Sequence, residues 1–596
     1  MHACRRHLFA LASCTTLLAA LAPHAAAAPA AASGDATGKA RTDVTALADR
    51  YVAEYKVRFP ISYAFAGLPV ERHDGVDINS PGDVARWREF EKGLARELKN
   101  IDPAAFAGTP EWVTWQFLNQ TLGQDAATEI CRNELWSVSA FGWQAGLAQL
   151  VTIQPVGTPQ EREQALTRWG KLGAWIDQEI ANLKEGQRLG YSATQATVQA
   201  TVGQLDNLLV GTAGKSPYME PGERAKAPEF LEAWTGVVQT SVWPGLTRYR
   251  NFLRDEYLPR ARTEVSIEKH PNGRACYRAL IFATVTIDAD PVQLFDVATK
   301  KVERERAMAV ELGRRIYGEK ATDWNALAAQ MKADPKNKFA TADEVRDYTQ
   351  RSYEKANAAA AKMVLTPPVG KVVLQAFPEH AQASAPGGQY LPAADDGSRP
   401  ATYYYRNVPA DLYRASLQNV IFHETLPGHH LQIAFLAEHG RKENHPIARL
   451  LFFSGPGEGW ATYSEEFSRE IGLYDSDLDY IGGLMGSITP MMVVDIGMQL
   501  KGWSVDQAVA YLREAMPMRP PERATQSVAT ISGLPGFVLA YPFGGMQWEQ
   551  MRARAQKELG SRFDARAFHQ VLLEDGMLPF AALDAKLDRW IATQKH

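Results

Sequence analysis

The chain has 596 residues, 45% of them hydrophobic and 22% charged, with a formal net charge of −4 and a sequence pI near 6.4. Charges of both signs are interspersed and no basic stripe occurs, which excludes the electrostatic footprint of a nucleic-acid binder. The length would admit several domains, yet no repeat and no low-complexity linker divides the sequence after residue 41.

The start reads Met1-His2-Ala3-Cys4-Arg5-Arg6-His7, then an apolar run from Leu8 to about Leu21, then Ala25 to Ala28. A basic start, a short apolar core and small residues at the cut predict a secretory signal peptide over residues 1–28. A flexible leader is expected over 29–41, and the exported protein is expected in the periplasm. Leu11-Ala12-Ser13-Cys14 also fits a lipobox, so a lipid anchor through Cys14 is the alternative. No transmembrane segment is expected, because the first apolar run is too short to span and no later stretch reaches eighteen uncharged apolar residues. Loss of the signal would leave Cys131 and Cys276, either as one disulfide of an exported protein or as two buried thiols.

Helical periodicity then dominates. Trp87 to Leu98, Arg162 to Leu183, Pro291 to Tyr317, Ala342 to Met363 and Asp506 to Ala515 all place apolar residues three and four apart between charges. Strand-like sequence is scarce: Lys371 to Ala376 and Ala401 to Arg406, on either side of a Gly/Pro/Asp-rich segment from Phe377 to Pro400. The expectation is a mainly α protein with one domain over 42–596. Its N-terminal helical half would reach about residue 365, with the chemistry in the remainder.

That remainder holds Phe422-His423-Glu424-Thr425-Leu426-Pro427-Gly428-His429-His430-Leu431. Zinc hydrolases commonly use His-Glu-x-x-His on one helix, with two imidazoles on the metal and the glutamate activating water. Here the position four after His423 is Pro427. In an unbroken helix His423 and His430 would stand roughly 10 Å apart along the axis, too far for zinc–nitrogen bonds of about 2.0–2.1 Å. Pro427 breaks the helix and Gly428 tolerates the turn that follows. Two residues looped out before Gly428 would bring His429 beside His423; His430 is the alternate ligand.

A third ligand is expected on another helix. Glu458 follows Ser454-Gly455-Pro456-Gly457, read as a loop, and precedes Trp460, Tyr463 and Phe467 at helical spacing. A carboxylate near a helix N-terminus is favoured as the anion. Glu465, on the same face, is placed to accept a hydrogen bond from a ligand imidazole. Tyr541, beside the Gly-rich Pro542-Phe543-Gly544-Gly545, is the candidate donor to an oxyanion, or else a core tyrosine at a helix start. No Gly-x-Ser-x-Gly elbow stands near a strand pattern, which disfavours a serine mechanism.

The run from His423 to Gln432, with Glu458-Gly459-Trp460-Ala461, Tyr463 and Glu465, resembles a bacterial family known as domain of unknown function 885. The resemblance extends to Tyr63-Ala64-Phe65-Ala66-Gly67, to Asp495-Ile496-Gly497 with Lys501-Gly502-Trp503-Ser504, and to the segment from Leu559 through Pro579. It implies a zincin-like metallopeptidase, often labelled a lipoprotein, with a small β-sheet beside the active-site helix whose edge strand binds extended peptide. A glycine directly before the second ligand, as Gly428 precedes His429, is shared with several helical zinc peptidases. Three places depart from the family: Met491 in Thr489-Pro490-Met491-Met492, Met498 after the Asp-x-Gly, and Phe537 after Pro535-Gly536.

The expected function is therefore an exported zinc-dependent peptidase, with Zn2+ held by His423, His429 and Glu458 and Glu424 as general base. A weakened zinc- or peptide-binding protein, or a zinc hydrolase of another amide or ester, stands as the alternative. Peptide specificity, endo- or exo-cleavage and oligomeric state stay open.

Overall fold

Capping side chains and prolines begin the long helices of this computed structural model, which describes residues 34–382 and 385–595. Thr158 accepts a hydrogen bond from the Glu161 N–H while the Glu161 carboxylate accepts one from the Thr158 N–H, and Pro159 stands in the first turn. This reciprocal cap extends the predicted helix to Pro159–Arg188. Asp290 caps Pro291–Tyr317, with the predicted bounds, and Thr341 caps Ala342–Ala358. The last ends earlier than its periodicity suggests, passing into a 3-10 turn at Ala360–Lys362.

The first helix is Gly34–Arg58. Residues 34–41, expected as flexible leader, therefore belong to its first turns, and Val44, Leu47 and Tyr51 behind them are buried. The signal sequence, Cys14 and residues 29–33 lie outside the described residues. Cys131 and Cys276 are joined as a disulfide, with Cα atoms 4.9 Å apart and 145 residues between them.

The sheet has three strands, β1 (Val372–Ala376), β2 (Gly388–Leu391) and β3 (Ala401–Tyr405), in the order β1-β3-β2. β3 is parallel to β1, with Val372 opposite Ala401, and antiparallel to β2, with Gly388 opposite Tyr405. The central position of β3 accounts for the burial of Tyr403 and Tyr405. β2 forms inside the Gly/Pro/Asp-rich segment, for which the sequence predicts no strand, because its four residues carry too short a pattern to signal one.

Downstream lie the His423 helix (Arg414–Glu424), a second helix at His429–His439, the Glu458 helix (Ser454–Glu470) and the Tyr541 helix (Ala540–Leu559). The Glu458 and Tyr541 helices pack along each other with backbone nearly touching. A Cβ on Gly459 would fall 2.4 Å from the Gly544 backbone. Glycine at both positions is a steric necessity of that approach. One hydrophobic cluster joins Val44, Trp87 and Phe117 near the start to Phe422, Trp460, Trp548 and Leu587 near the end, so the two halves share a core.

Two consecutive helices, Asp477–Gly486 and Thr489–Leu500, reach a mean hydropathy of 1.4 over a span that length and composition alone would allow to cross a membrane. However, 78% of that window is buried inside the protein. This is the pattern of a core helix, hydrophobic all round because it is covered all round. The pair Pro521–Gly533 and Phe537–Arg562 passes the same test only taken together, and is bent by 106°.

Candidate metal centre

The His423 helix ends at Glu424, and the next helix begins at His429. Between them Gly428 N–H bonds the Phe422 carbonyl at 3.0 Å, and His430 N–H reaches back to the Thr425 carbonyl at 3.0 Å. Gly428 folds so close to the preceding helix that a Cβ there would fall 1.8 Å from the His423 carbonyl oxygen. Glycine is required by this close approach, a reason beyond the dihedral freedom expected from sequence. The Trp460 indole N–H donates to the carbonyls of Pro427 at 3.0 Å and Gly428 at 3.2 Å, tying the turn to the Glu458 helix.

The consequence is that the His423 and His429 rings lie with centroids 5.0 Å apart and nearly perpendicular. Glu458 Oε2 is 3.4 Å from His423 Nε2 and 3.1 Å from His429 Nε2. One donor atom from each of the three lies within 4.8 Å of the others. Residues Ser454 to Gly457, expected as a loop before Glu458, are instead the first turn of its helix.

Both imidazoles are held from behind. His423 Nδ1 meets Glu465 Oε1 at 2.8 Å, and the other Glu465 oxygen accepts from Asn419 Nδ2 at 2.8 Å. His429 Nδ1 meets Gln432 Oε1 at 3.1 Å. Gln432 stands one helical turn after His429 and was not singled out from sequence, although the spacing puts the two on one face. His430, the alternate ligand, is turned away: Tyr390 Oη occupies its Nδ1 at 3.0 Å and the Gly370 carbonyl its Nε2 at 2.9 Å.

Electrostatics follow this geometry. Burial alone would depress His423, but the carboxylates of Glu458 and Glu465 outweigh it and hold the imidazole well above its ordinary pKa. Glu458 shows the converse. Burial pushes it up, and the two imidazoles together hold it far below the usual carboxylate range. Glu424 is raised, first by burial and with a contribution from the Glu458 charge, although the Tyr390 N–H bonds it.

Tyr541 stacks over His423 at 5.9 Å, and burial together with the nearby Glu458 and Glu424 charges holds its hydroxyl well above its ordinary pKa. These groups open on a cavity of about 2100 Å³ that reaches Phe141 and Trp143 of the N-terminal half and is bordered by Gly388, Gln389 and Tyr390 of β2. Met491 and Phe537 line the cavity, and Phe537 meets the Tyr541 ring edge-on at 6.0 Å. Met498 is fully buried in the core cluster behind the wall and does not line the cavity.

Fold and site together define a mainly helical protein with a small sheet and, at a broken helix, a His-His-Glu set whose two histidines are buried. The chain belongs to the family described as bacterial protein of unknown function (DUF885), which it matches over residues 60–587. A candidate lipoprotein from Colwellia psychrerythraea shares the fold, with 21% identity, 94% of this chain and 99% of that chain covered, and a TM-score of 0.81. A candidate lipoprotein of unknown function from Shewanella oneidensis follows at 16% identity, 90% and 98% coverage, and a TM-score of 0.68. A candidate oligoendopeptidase F from Bacillus anthracis aligns at 13% identity over 86% of this chain and 96% of that one, but its TM-score of 0.30 carries no argument. No curated protein matches the sequence.

Proposed function

We propose that the protein is an exported, zincin-like zinc peptidase. The observation that carries this reading is the convergence of three donor atoms from His423, His429 and Glu458 within 4.8 Å, beside the half-buried Glu424. The donor chemistry fits zinc. With each Nδ1–H donated to Glu465 or Gln432, both Nε2 lone pairs and the Glu458 carboxylate face one another. In those neutral tautomers three acceptors face one another and repel unless a cation stands among them. The carboxylates that favour protonated imidazoles would equally favour a metal ion in the proton's place. Two imidazoles and one carboxylate are also a set that leaves a fourth position open. When bound, zinc supplies Lewis acidity, which makes water nucleophilic and polarises a carbonyl at neutral pH.

The remaining work falls to side chains. Glu424 accepts the proton of the attacking water and later passes it to the departing amine nitrogen as the C–N bond breaks. Its burial keeps it a stronger base than an exposed carboxylate. Tyr541 offers its hydroxyl to the oxyanion. β2, at the edge of the sheet and on the cavity wall, offers its open backbone edge to an extended peptide. Export is supported by the Cys131–Cys276 disulfide, which persists in oxidising compartments. The two fold relatives bearing lipoprotein names favour lipid anchoring at Cys14 as the second reading of location.

Metal content tests the reading. Elemental analysis of gently purified protein should find about one zinc per chain. No zinc after purification, and none after reconstitution, would remove the peptidase mechanism.

A further inference from the structure

The cavity carries a positive pole that the proposed chemistry does not use. Arg406, Arg519 and Arg523 all line it. Arg406 is paired with Asp411 at 2.6 Å. Arg519 donates to the Gly486 carbonyl at 3.1 Å and Arg523 to the Ala385 carbonyl at 3.2 Å, and neither forms an ion pair among the described residues. Burial lowers both guanidinium pKa values, and each is lowered further by a neighbouring arginine: Arg519 by Arg523, and Arg523 by Arg406. Asp411 and Glu522 offset this in part at Arg523, whereas no acidic group among the described residues offsets it at Arg519. Desolvated like charges with too little counter-charge are costly. A guanidinium is also the group best shaped to take a carboxylate through two parallel hydrogen bonds.

β2 relates this pole to the metal set. Ala385, held by Arg523, lies three residues before Gly388, and the Tyr390 N–H is the one given to Glu424. Ala385 and Tyr390 are five residues apart, the last three of them in β2, so at most about 17 Å of chain separates the arginine pole from the general base. A peptide laid antiparallel on β2 sends its C-terminal side toward Arg523; a parallel one would send its N-terminal ammonium there. Two unpaired guanidiniums repel the ammonium and attract a carboxylate.

We propose that Arg519 and Arg523 form a carboxylate subsite for the C-terminal side of a peptide bound antiparallel to β2. It would take a free C-terminus or an acidic side chain within about five residues of the cleaved bond. Recognition of a free C-terminus would make the substrates oligopeptides or chain ends; recognition of an acidic side chain would make them acidic sequences. This rests on the peptidase reading above.

Equilibrium dialysis of zinc-loaded Glu424→Gln protein against degenerate octapeptide pools tests it, because binding is read without turnover. Three pools are compared: free acids, C-terminal amides, and amides with one fixed Asp. The free-acid pool, the Asp pool or both should be retained at least about tenfold better than plain amides, as expected for a charge-assisted hydrogen-bond pair. Retention of free acids identifies the C-terminus; retention of the Asp amides alone identifies a side chain. Adding Arg523→Gln should abolish the preference, with unchanged zinc content and thermal unfolding as the control for folding. Arg523→Lys, which keeps the charge but not the planar fork, should retain only part of it. Equal retention of all three pools, or a preference that survives Arg523→Gln and Arg519→Gln together, overturns the subsite alone. No retention of any pool overturns the peptide reading with it.

Discussion

Glu465 Oε1 stands 2.8 Å from Nδ1 of His423 and so decides which nitrogen that ring turns toward Glu458. The carboxylate is itself anchored by Asn419. Partners of this kind typically govern metal affinity by about 10–100-fold. Glu465→Ala should keep the fold and weaken zinc binding by that factor, measured by competition with a chromogenic chelator. Unchanged affinity would mean that the ring is oriented by something else.

The two adjacent histidines should behave differently. His429 presents Nε2 to Glu458, whereas both ring nitrogens of His430 are taken by Tyr390 and Gly370. His429→Ala is expected to lose zinc. His430→Ala should hold zinc but lose roughly 1–3 kcal/mol of stability, because buried partners are left without their hydrogen bonds. Zinc content and thermal unfolding of the two variants separate these outcomes, and the reverse result would transfer the ligand role to His430.

Tyr541→Phe removes one hydroxyl beside Glu458 and leaves the ring over His423. If that hydroxyl meets the oxyanion, kcat should fall by about 10²–10³-fold with KM and zinc content nearly unchanged. A change confined to thermal stability would reduce Tyr541 to a packing residue.

Asp495 supplies a pH test at a carboxyl outside the metal set. It is fully buried and accepts hydrogen bonds from Tyr277 Oη at 2.6 Å and the Gly536 N–H at 2.8 Å, yet burial still raises its pKa to about 7. The folded pKa lies above the unfolded value of about 3.9. Protonation of Asp495 therefore favours the folded state fully below about pH 4, and this contribution is lost as pH rises to about 7. Asp495→Asn should lack that slope. The stability difference between wild type and variant should change by on the order of 2–4 kcal/mol across this range. Denaturant unfolding at a series of pH values measures it, and parallel curves would show that the carboxyl titrates normally.

Much of this arrangement was legible in the sequence because it is local. Helices with caps and apolar periodicity, such as Pro291–Tyr317, were readable almost to the residue. Pro427 and Gly428 announced the break that brings His429 to His423. The pairing of Cys131 with Cys276 was left open in the sequence, since two lone cysteines carry no geometry. What could not be read depends on chain segments distant from the motif. Tyr390 reaches both Glu424 and His430 from a four-residue strand hidden among Gly and Pro. Arg519 and Arg523 enter the cavity from a segment that resembles an ordinary exposed helix start. Their shared environment is a property of tertiary packing, which periodicity does not encode.

The most direct test of the account compares wild type and Glu424→Gln in a peptide-library digest at matched zinc occupancy. Gln keeps the size of the side chain but cannot accept the water's proton, a contribution typically worth about 10²–10⁴-fold. The account predicts metal-dependent cleavage by wild type, an unchanged zinc content in the variant, and a loss of turnover of at least about two orders of magnitude. Equal turnover by both proteins, or cleavage by neither across a broad library, would contradict it.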